Sequence, residues 1–376
     1  RPEIVDSAGR RPVAADVSLL YSMQLSWYSA KVRPYLRFKG IPFSERTPTA
    51  WEYYVVIPRH CGHAVVPIMI TPDGEWLQDS SVIIERLEQR YPERPVVPST
   101  PRQRFAAYLL ELWADEFWLP AGVHARWSFP ENYPKWRDEL SSAFAPGFPT
   151  LIQRALPLVL KRFMQQVNRR LGATPEQVPQ IERWLAQQLD HLDCHLATMP
   201  YLFGTRPSLA DFSLAGPICG HLRYDEAAKR RWLQPRPHLL AWSERMASGE
   251  RRPAGEFLRD DFIPETLRPM LASVFGEMVP FLQATIEQVR SMSHRRGAHL
   301  PRFSGLVRFP LAGQTFSRQG IPYTLWMAQR VQGVLADLPP SQAEEVRRWV
   351  KSLGGDGFLQ LHIPRLSRVG VHAALK

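Results

Sequence analysis

The chain has 376 residues, of which 44% are hydrophobic and 22% are charged, a composition typical of a globular protein with room for two or three domains. It contains no run of 18 apolar residues, which excludes a helical membrane span. The three cysteines (Cys61, Cys194 and Cys219) are too few for a closed disulfide framework, which favours a reducing, cytoplasmic location. The chain begins with Arg1, so a removed targeting segment is neither shown nor excluded.

The net charge of +11 comes from 47 Lys and Arg against 36 Asp and Glu, and it raises the question of an anionic partner. The short basic runs are scattered along the chain, and none is interleaved with the aromatic residues of a base-stacking surface. We therefore predict no nucleic-acid partner, because diffuse charge is typical of a solvated surface.

The first hundred residues alternate between strand and helix patterns. Residues 1–16 have no periodicity and are predicted to form a flexible arm. The predicted elements that follow are a strand at 17–23, a helix at 29–39 ended by Gly40, a strand at 41–46, a loop at 51–58, a strand at 65–70, a turn at 71–74, a strand at 75–78 and a helix from Ser80. The order is β-α-β-loop-β-β-α.

The pattern changes after a proline-rich linker. Three prolines between 94 and 101 prevent a continuous helix, and we place the linker at 96–101. The predicted domains are an α+β domain at 17–95, an all-α domain at 102–250 with helical spacing at 102–119, 148–171, 179–198 and 209–222, and a second α+β region at 251–376.

We call residues 251–376 the extension. Its pattern predicts one or two helices at 264–292, a hairpin at 303–316 around Ala312-Gly313, helices at 322–335 and 342–353, and strands within 358–371. The chain is thus predicted to be an α+β multidomain protein.

Three features of the first domain belong to one kind of chemistry. Ser26 and Ser29 lie at a strand-to-helix junction, where free amide groups and the helix dipole stabilise a thiolate. Pro67 directly precedes an apolar strand, where a cis Val66–Pro67 bond exposes the backbone of Val66 to a peptide-like ligand. Asp79-Ser80 opens a helix, so the serine and nearby amides can hold a carboxylate while the aspartate takes an ammonium group.

On these residues the sequence resembles the glutathione S-transferase superfamily, as a Ser-type, bacterial-like member with a C-terminal extension. The resemblance covers about residues 17–246. It rests on S-x-x-S-x-K-V-R from Ser26, on Val66-Pro67, on Asp79-Ser80, and on Ser208-x-x-Asp211, a helix-capping box within Tyr201–Phe212. It implies a thioredoxin-like N-terminal domain followed by the family's all-α domain.

The resemblance implies glutathione as co-substrate and no metal. Val66 and Pro67 would bind its cysteinyl backbone, and Asp79 with Ser80 its γ-glutamyl end. Ser26 would donate a hydrogen bond to the thiolate, and since a hydroxyl forms no mixed disulfide, conjugation or elimination is favoured over disulfide exchange.

Several assignments keep alternatives. Ser29 and Tyr21 compete with Ser26 as the thiol-activating residue, and Ser26 is otherwise an ordinary helix N-cap. No basic or amide residue precedes Val66, where the family commonly has one, and His63, Arg59 or His60 are the alternatives for that part of the site.

The predicted second-substrate pocket is lined by Trp27, Tyr28, Trp113, Glu116 and Phe117. Trp113 and Phe117 are four residues apart and share one face of a helix. The alternative is that the aromatic residues pack between domains. His60-Cys61-Gly62-His63 has three ligand-type residues without a second half-site, so we predict no metal there.

The resulting hypothesis is a glutathione transferase that activates the thiol for attack on an apolar, electrophilic small molecule, with a role in detoxification. The family resemblance implies a homodimer without integral membrane association. The alternative is a non-catalytic protein of the same fold that serves protein or membrane-surface interaction.

Overall fold

The computed structural model describes residues 17–144, 150–248, 254–292 and 299–376. The predicted arm at 1–16 lies outside the described residues. No helix in these ranges is long and apolar enough to cross a bilayer.

The N-terminal domain is built on a four-stranded mixed sheet. Its strands are β1 (Ser18–Tyr21), β2 (Phe43–Arg46), β3 (Ile68–Ile70) and β4 (Trp76–Gln78), in the spatial order β2-β1-β3-β4. Strand β2 is parallel to β1, whereas β3 is antiparallel to both β1 and β4. The helices are α1 (Trp27–Lys39), α2 (Ile57–Cys61) and α3 (Ser80–Arg90). The predicted thioredoxin-like fold is confirmed.

The prediction of a loop at 51–58 is wrong. A wide helical turn over Glu52–Val56 continues directly into α2. Two reciprocal hydrogen bonds between Thr49 and Glu52 cap the start of this helix. The Glu52 amide donates to the Thr49 hydroxyl at 3.3 Å, and the Thr49 amide donates to the Glu52 carboxylate at 2.8 Å. Such a capping box has the pattern Thr-x-x-Glu, which is present in the sequence.

The all-α region contains eight α-helices within the described residues. They are α4 (Pro101–Leu112), α5 (Leu119–Trp127), α6 (Tyr133–Phe144), α7 (Thr150–Arg170), α8 (Val178–Leu196), α9 (Leu209–Pro217), α10 (Glu226–Ala228) and α11 (Pro237–Ser248). The single helix predicted at 102–119 is instead α4 followed by a wide turn at Trp113–Phe117. Ser208 and Asp211 form the predicted capping box at the start of α9.

The extension contains five α-helices and four strands in its described parts. They are α12 (Arg268–Ser273), α13 (Val279–Ser291), β5 (Leu306–Leu311), β6 (Gln314–Gln319), α14 (Pro322–Ala336), α15 (Pro340–Ser352), α16 (Asp356–Leu359), β7 (Leu366–Val369) and β8 (His372–Leu375). The β5–β6 hairpin turns at Ala312 and Gly313, whose φ angles of 45° and 75° are those of a tight hairpin turn.

One part of the extension differs from its prediction. Phe358 belongs to α16 rather than to a strand, because its ring is fully buried and packs edge-on against Phe105 of α4. Within the range predicted for strands, only β7 is one, and it pairs with β8, which lies beyond that range, as an antiparallel hairpin.

The extension shares one hydrophobic core with the rest of the chain. Helix α14 packs against α4, and Phe281 and Phe309 pack against Phe117 with ring centroids 6.0 and 5.7 Å away. The exact domain boundaries stay a prediction, but the extension contributes directly to the interior.

Candidate functional site

A cavity of about 370 Å³ lies between the N-terminal domain, the turn after α4 and the extension. This volume is within the usual range for small-molecule sites. Its described lining residues are Tyr28, Tyr53, Ala64, Val65, Val66, Pro67, Gln78, Asp79, Ser80, Ser81, Asp115, Glu116, Leu119, Pro301, Arg302, Ile321, Tyr323, Met327, Val371, His372 and Ala373.

Val66 and Pro67 form part of one wall, immediately before β3. The peptide bond between them is cis, as the sequence predicted. Both residues therefore lie where the prediction requires them, at the edge of the sheet and facing the cavity.

Asp79 and Ser80 lie at the start of α3 and also line the cavity. Asp79 has a φ of 86°, a costly conformation for a residue other than glycine. Its Oδ1 accepts hydrogen bonds from the amides of Ser81 (3.0 Å) and Val82 (3.2 Å), while its Oδ2 accepts one from the Tyr323 hydroxyl of the extension. The first oxygen thus caps the helix, and the second lies at the contact with the extension.

Ser26 is the N-cap of α1. Its Oγ accepts a hydrogen bond from the Ser29 amide at 3.2 Å, so its own hydroxyl proton is free to be donated. The side chain is half-buried and is not among the described residues that line the cavity. The structure therefore accounts fully for Ser26 as a cap, and its catalytic role stays a prediction.

The two alternatives to Ser26 are held elsewhere. The Tyr21 hydroxyl donates to Glu52 at 2.8 Å and accepts from Arg46 at 3.0 Å, and burial raises its pKa. Ser29 lies in the first turn of α1 and is completely buried. Neither Tyr21 nor Ser29 is among the described cavity-lining residues.

Tyr28 reaches the cavity but its neighbour Trp27 does not. The Tyr28 hydroxyl donates to the Asp115 carbonyl at 3.3 Å, and burial, reinforced by the charge of Glu116, raises its pKa well above the usual value. The Trp27 indole instead lies between Gly122 and Gly216, where it packs against the all-α region.

The structure separates Glu116 from Trp113 and Phe117. Glu116 lines the cavity and accepts a hydrogen bond from the Thr324 hydroxyl at 3.0 Å. Burial, followed by the charge of Asp115, raises its pKa to about 8. Trp113 and Phe117 are buried against Trp184, and Phe117 is further covered by the extension, so neither lines the cavity.

The histidines before Val66 are not brought into the cavity. His60 stacks on Trp76 with ring centroids 4.0 Å apart, and His63 lies 4.9 Å from His372 of the extension. Across the described residues, no group of three or more His, Cys, Asp or Glu side chains could hold a metal ion.

A buried charge network adjoins the cavity and joins all three regions. The Lys31 Nζ lies 2.7 Å from Glu111, 2.5 Å from Asp115 and 2.9 Å from the Ser81 hydroxyl. Arg330 of the extension pairs with the other Glu111 oxygen at 2.8 Å. Burial works against the Lys31 charge, but Asp115 and Glu111 outweigh it and raise the Lys31 pKa, so the ammonium group stays charged.

Three cavity residues of the extension had no sequence signal: Arg302, Tyr323 and His372. Each belongs to a segment whose pattern predicts only a loop, helix or strand. Their proximity to Asp79 and Val66 depends on contacts between residues more than 200 positions apart, such as Tyr323 with Asp79.

Two ranges of the chain match models of one known family. Residues 20–95 match the family model of the glutathione S-transferase N-terminal domain, and residues 169–245 match that of the glutathione S-transferase C-terminal domain. Both matched ranges end before the extension. A curated relative, the isoprene-epoxide–glutathione S-transferase of Rhodococcus sp. (strain AD45), is 24% identical over 230 residues, which are 59% of this chain and 91% of that protein.

Two solved structures illustrate the similarity. The beta-etherase of Sphingobium sp. strain SYK-6 is 23% identical with a TM-score of 0.44, over 63% of this chain and 96% of that chain. A glutathione S-transferase of Methylobacterium radiotolerans JCM 2831, solved with glutathione sulfonate, is 23% identical with a TM-score of 0.38, over 63% of this chain and 92% of that chain.

Proposed function

We propose that the chain, which belongs to the glutathione S-transferase superfamily, is an enzyme that binds glutathione in the cavity between the N-terminal domain and the extension. The observation that carries this proposal is that Val66, Pro67, Asp79 and Ser80 all line this one cavity. These residues offer an exposed backbone, a carboxylate and a helix N-terminus, which are the groups needed to hold a charged peptide.

The proposed binding follows from the chemistry of each group. The Val66 backbone pairs with the cysteinyl residue of glutathione, with Pro67 orienting it. The γ-glutamyl ammonium group binds the Asp79 carboxylate, whose Oδ2 faces Tyr323 and retains capacity to accept a further hydrogen bond. The γ-glutamyl carboxylate binds the Ser80 hydroxyl, at the positive end of the α3 dipole.

The thiol is activated by hydrogen bonding at the start of α1. The Ser26 hydroxyl donates to the sulfur, and the positive end of the helix dipole favours the thiolate. The thiolate attacks an electrophilic carbon, a C–S bond forms, and the bond to the leaving atom breaks with its electron pair. The thiol proton passes to solvent.

We propose that the acceptor is a small apolar electrophile. Leu119, Ile321 and Met327 supply apolar surface to the cavity, while Phe281 and Phe309 of the extension pack on Phe117 and leave no space there. The Rhodococcus relative is named for an isoprene epoxide, so a small epoxide is the first acceptor to test.

The test measures glutathione binding by calorimetry and then conjugation of a small epoxide and of an aryl halide. We expect binding at or below millimolar concentration and turnover of at least one acceptor. Absence of binding would overturn the proposal. Binding without turnover of any small electrophile would instead support the non-catalytic alternative.

Variants at Ser26 separate capping from catalysis. Ser26→Ala removes both the cap and the hydroxyl, whereas Ser26→Asp keeps the cap and cannot donate to a thiolate. We expect both to lower kcat by about tenfold or more with folding retained. If Ser26→Asp conjugates at the wild-type rate, the assignment of Ser26 is wrong.

A role in detoxification and assembly as a homodimer stay predictions.

A further inference from the structure

The cavity has an uneven distribution of charge. Among its described lining residues, Asp79, Asp115 and Glu116 are acidic, and Arg302 is the sole Lys or Arg. Arg302 is exposed at the cavity, and no described carboxylate forms an ion pair with it. The Arg302 guanidinium carbon lies 5.9 Å from the ring centroid of the neighbouring Phe303.

The proposed ligand has more negative groups than the N-terminal wall can bind. Glutathione carries one ammonium group and two carboxylates at neutral pH. Asp79 matches the ammonium group, and Ser80 with the start of α3 matches one carboxylate. The second carboxylate therefore needs a donor from another part of the cavity.

Three other basic groups near the cavity are already bonded or uncharged. Arg368 donates to the Gln78 side chain and to the Gly370 carbonyl. Lys31 is fully buried and already bonded to Glu111 and Asp115. Burial, followed by the charge of His63, lowers the pKa of His372, so its imidazole is neutral at pH 7. The Arg302 guanidinium offers a planar set of donors that fits a carboxylate.

Arg302 and Asp79 both line the cavity, the first from the extension and the second from the N-terminal domain. Asp79 contacts Tyr323. Val66 lies in the same cavity wall as Asp79, so a peptide that spans the cavity can reach both charged ends.

We propose that Arg302 binds the glycyl carboxylate of glutathione, so that the extension completes the glutathione site. This inference rests on the proposed glutathione binding. It makes the extension a part of the ligand-binding surface, and it assigns the carboxylate recognition to a residue outside both matched family ranges.

The test compares Arg302→Gln with Arg308→Gln in the full chain. Arg308 is exposed on β5 and does not line the cavity, so its substitution changes the net charge equally without touching the site. Each protein is titrated calorimetrically with glutathione and with glutathione ethyl ester, in which the glycyl carboxylate is neutral. Thermal unfolding checks that each variant is folded.

We expect the wild type and Arg308→Gln to prefer glutathione over the ester by about tenfold, and Arg302→Gln to lose that preference. The ester's affinity should be nearly the same in all three proteins. If the wild type binds both ligands equally, or Arg302→Gln keeps the preference, Arg302 does not bind this carboxylate. If the wild type binds neither ligand, the proposed function itself is overturned.

Discussion

The two walls of the cavity are built by different means. On the N-terminal wall, Pro67 precedes β3 and Asp79 caps α3, so each side chain is positioned by the few residues around it. On the extension wall, Tyr323 is positioned by its bond to Asp79, and Arg368 donates to Gln78 at 2.5 Å. The first wall is local in sequence and the second depends on tertiary contacts.

This difference has a functional consequence. The extension bonds to side chains that the N-terminal domain uses in the proposed site, and not only to its scaffold. Thr324 also donates to Glu116, a cavity-lining residue of the all-α region, at 3.0 Å. A change in how the extension packs should therefore alter ligand binding, whereas changes elsewhere on its surface should not.

The largest expected effect comes from the buried charge network. It tests whether the α1 residue or the extension residue of that network contributes more to stability. Lys31→Met leaves Glu111 and Asp115 buried without their shared ammonium partner, so we expect it to lower the free energy of unfolding by about 3–5 kcal/mol. Urea denaturation at pH 7 measures this change.

Arg330→Met is the matched change from the extension. Arg330 is partly exposed, and its removal leaves Glu111 paired with Lys31, so we expect a smaller loss of roughly 1.5–3 kcal/mol. An equal or larger loss for Arg330→Met would show that the extension, and not α1, holds the network together.

The second prediction compares two helical glycines. A Cβ at Gly122 would lie 2.2 Å from the Trp27 ring, so Gly122→Ala should lower the free energy of unfolding by about 1–3 kcal/mol through overpacking. Thermal unfolding provides the measurement.

Gly333 of α14 is the control, because nothing lies within 4 Å of a Cβ there. Gly333→Ala should stabilise the protein by about 0.5–1 kcal/mol, since alanine favours a helix over glycine. Equal effects of the two substitutions would contradict the tight packing of Trp27 against α5.

The sequence predicted the local wall well. The cis bond at Pro67, the start of α3 at Ser80 and the capping box at Ser208 each follow from two to four adjacent residues. The helix at Glu52–Val56, where the sequence analysis predicts a loop, also has a local signal in Thr49-x-x-Glu52, whose side chains form the capping box.

The extension wall could not be predicted in the same way. The spacing of Trp113 and Phe117 correctly indicates an apolar helical face, but it cannot reveal that Phe281 and Phe309 cover Phe117. Likewise, no local pattern brings Tyr323 to Asp79. Such contacts depend on how the whole chain packs, which periodicity alone does not specify.

The last expected effect is a slope with pH, and it concerns Glu116, where the two walls meet. Burial raises its pKa in the folded protein to about 8, above its value of about 4.3 in an unfolded chain. The stability that the protonated Glu116 carboxyl contributes is therefore fully present below pH 4.3 and is lost as the pH rises towards 8.

The variant Glu116→Gln keeps an acceptor for Thr324 but does not titrate. Its free energy of unfolding should therefore rise by about 1 kcal/mol per pH unit relative to that of the wild type between pH 5.5 and 7.5. Urea denaturation of both proteins across this pH range measures the difference between their free energies of unfolding. Because the two proteins share their other titrating groups, the contributions of those groups largely cancel in this difference. A constant difference would mean that Glu116 is already ionised and is stabilised by Arg318, a buried residue of β6 that donates to the Glu116 carbonyl at 3.3 Å. The meeting point of the two walls would then be a charged pair.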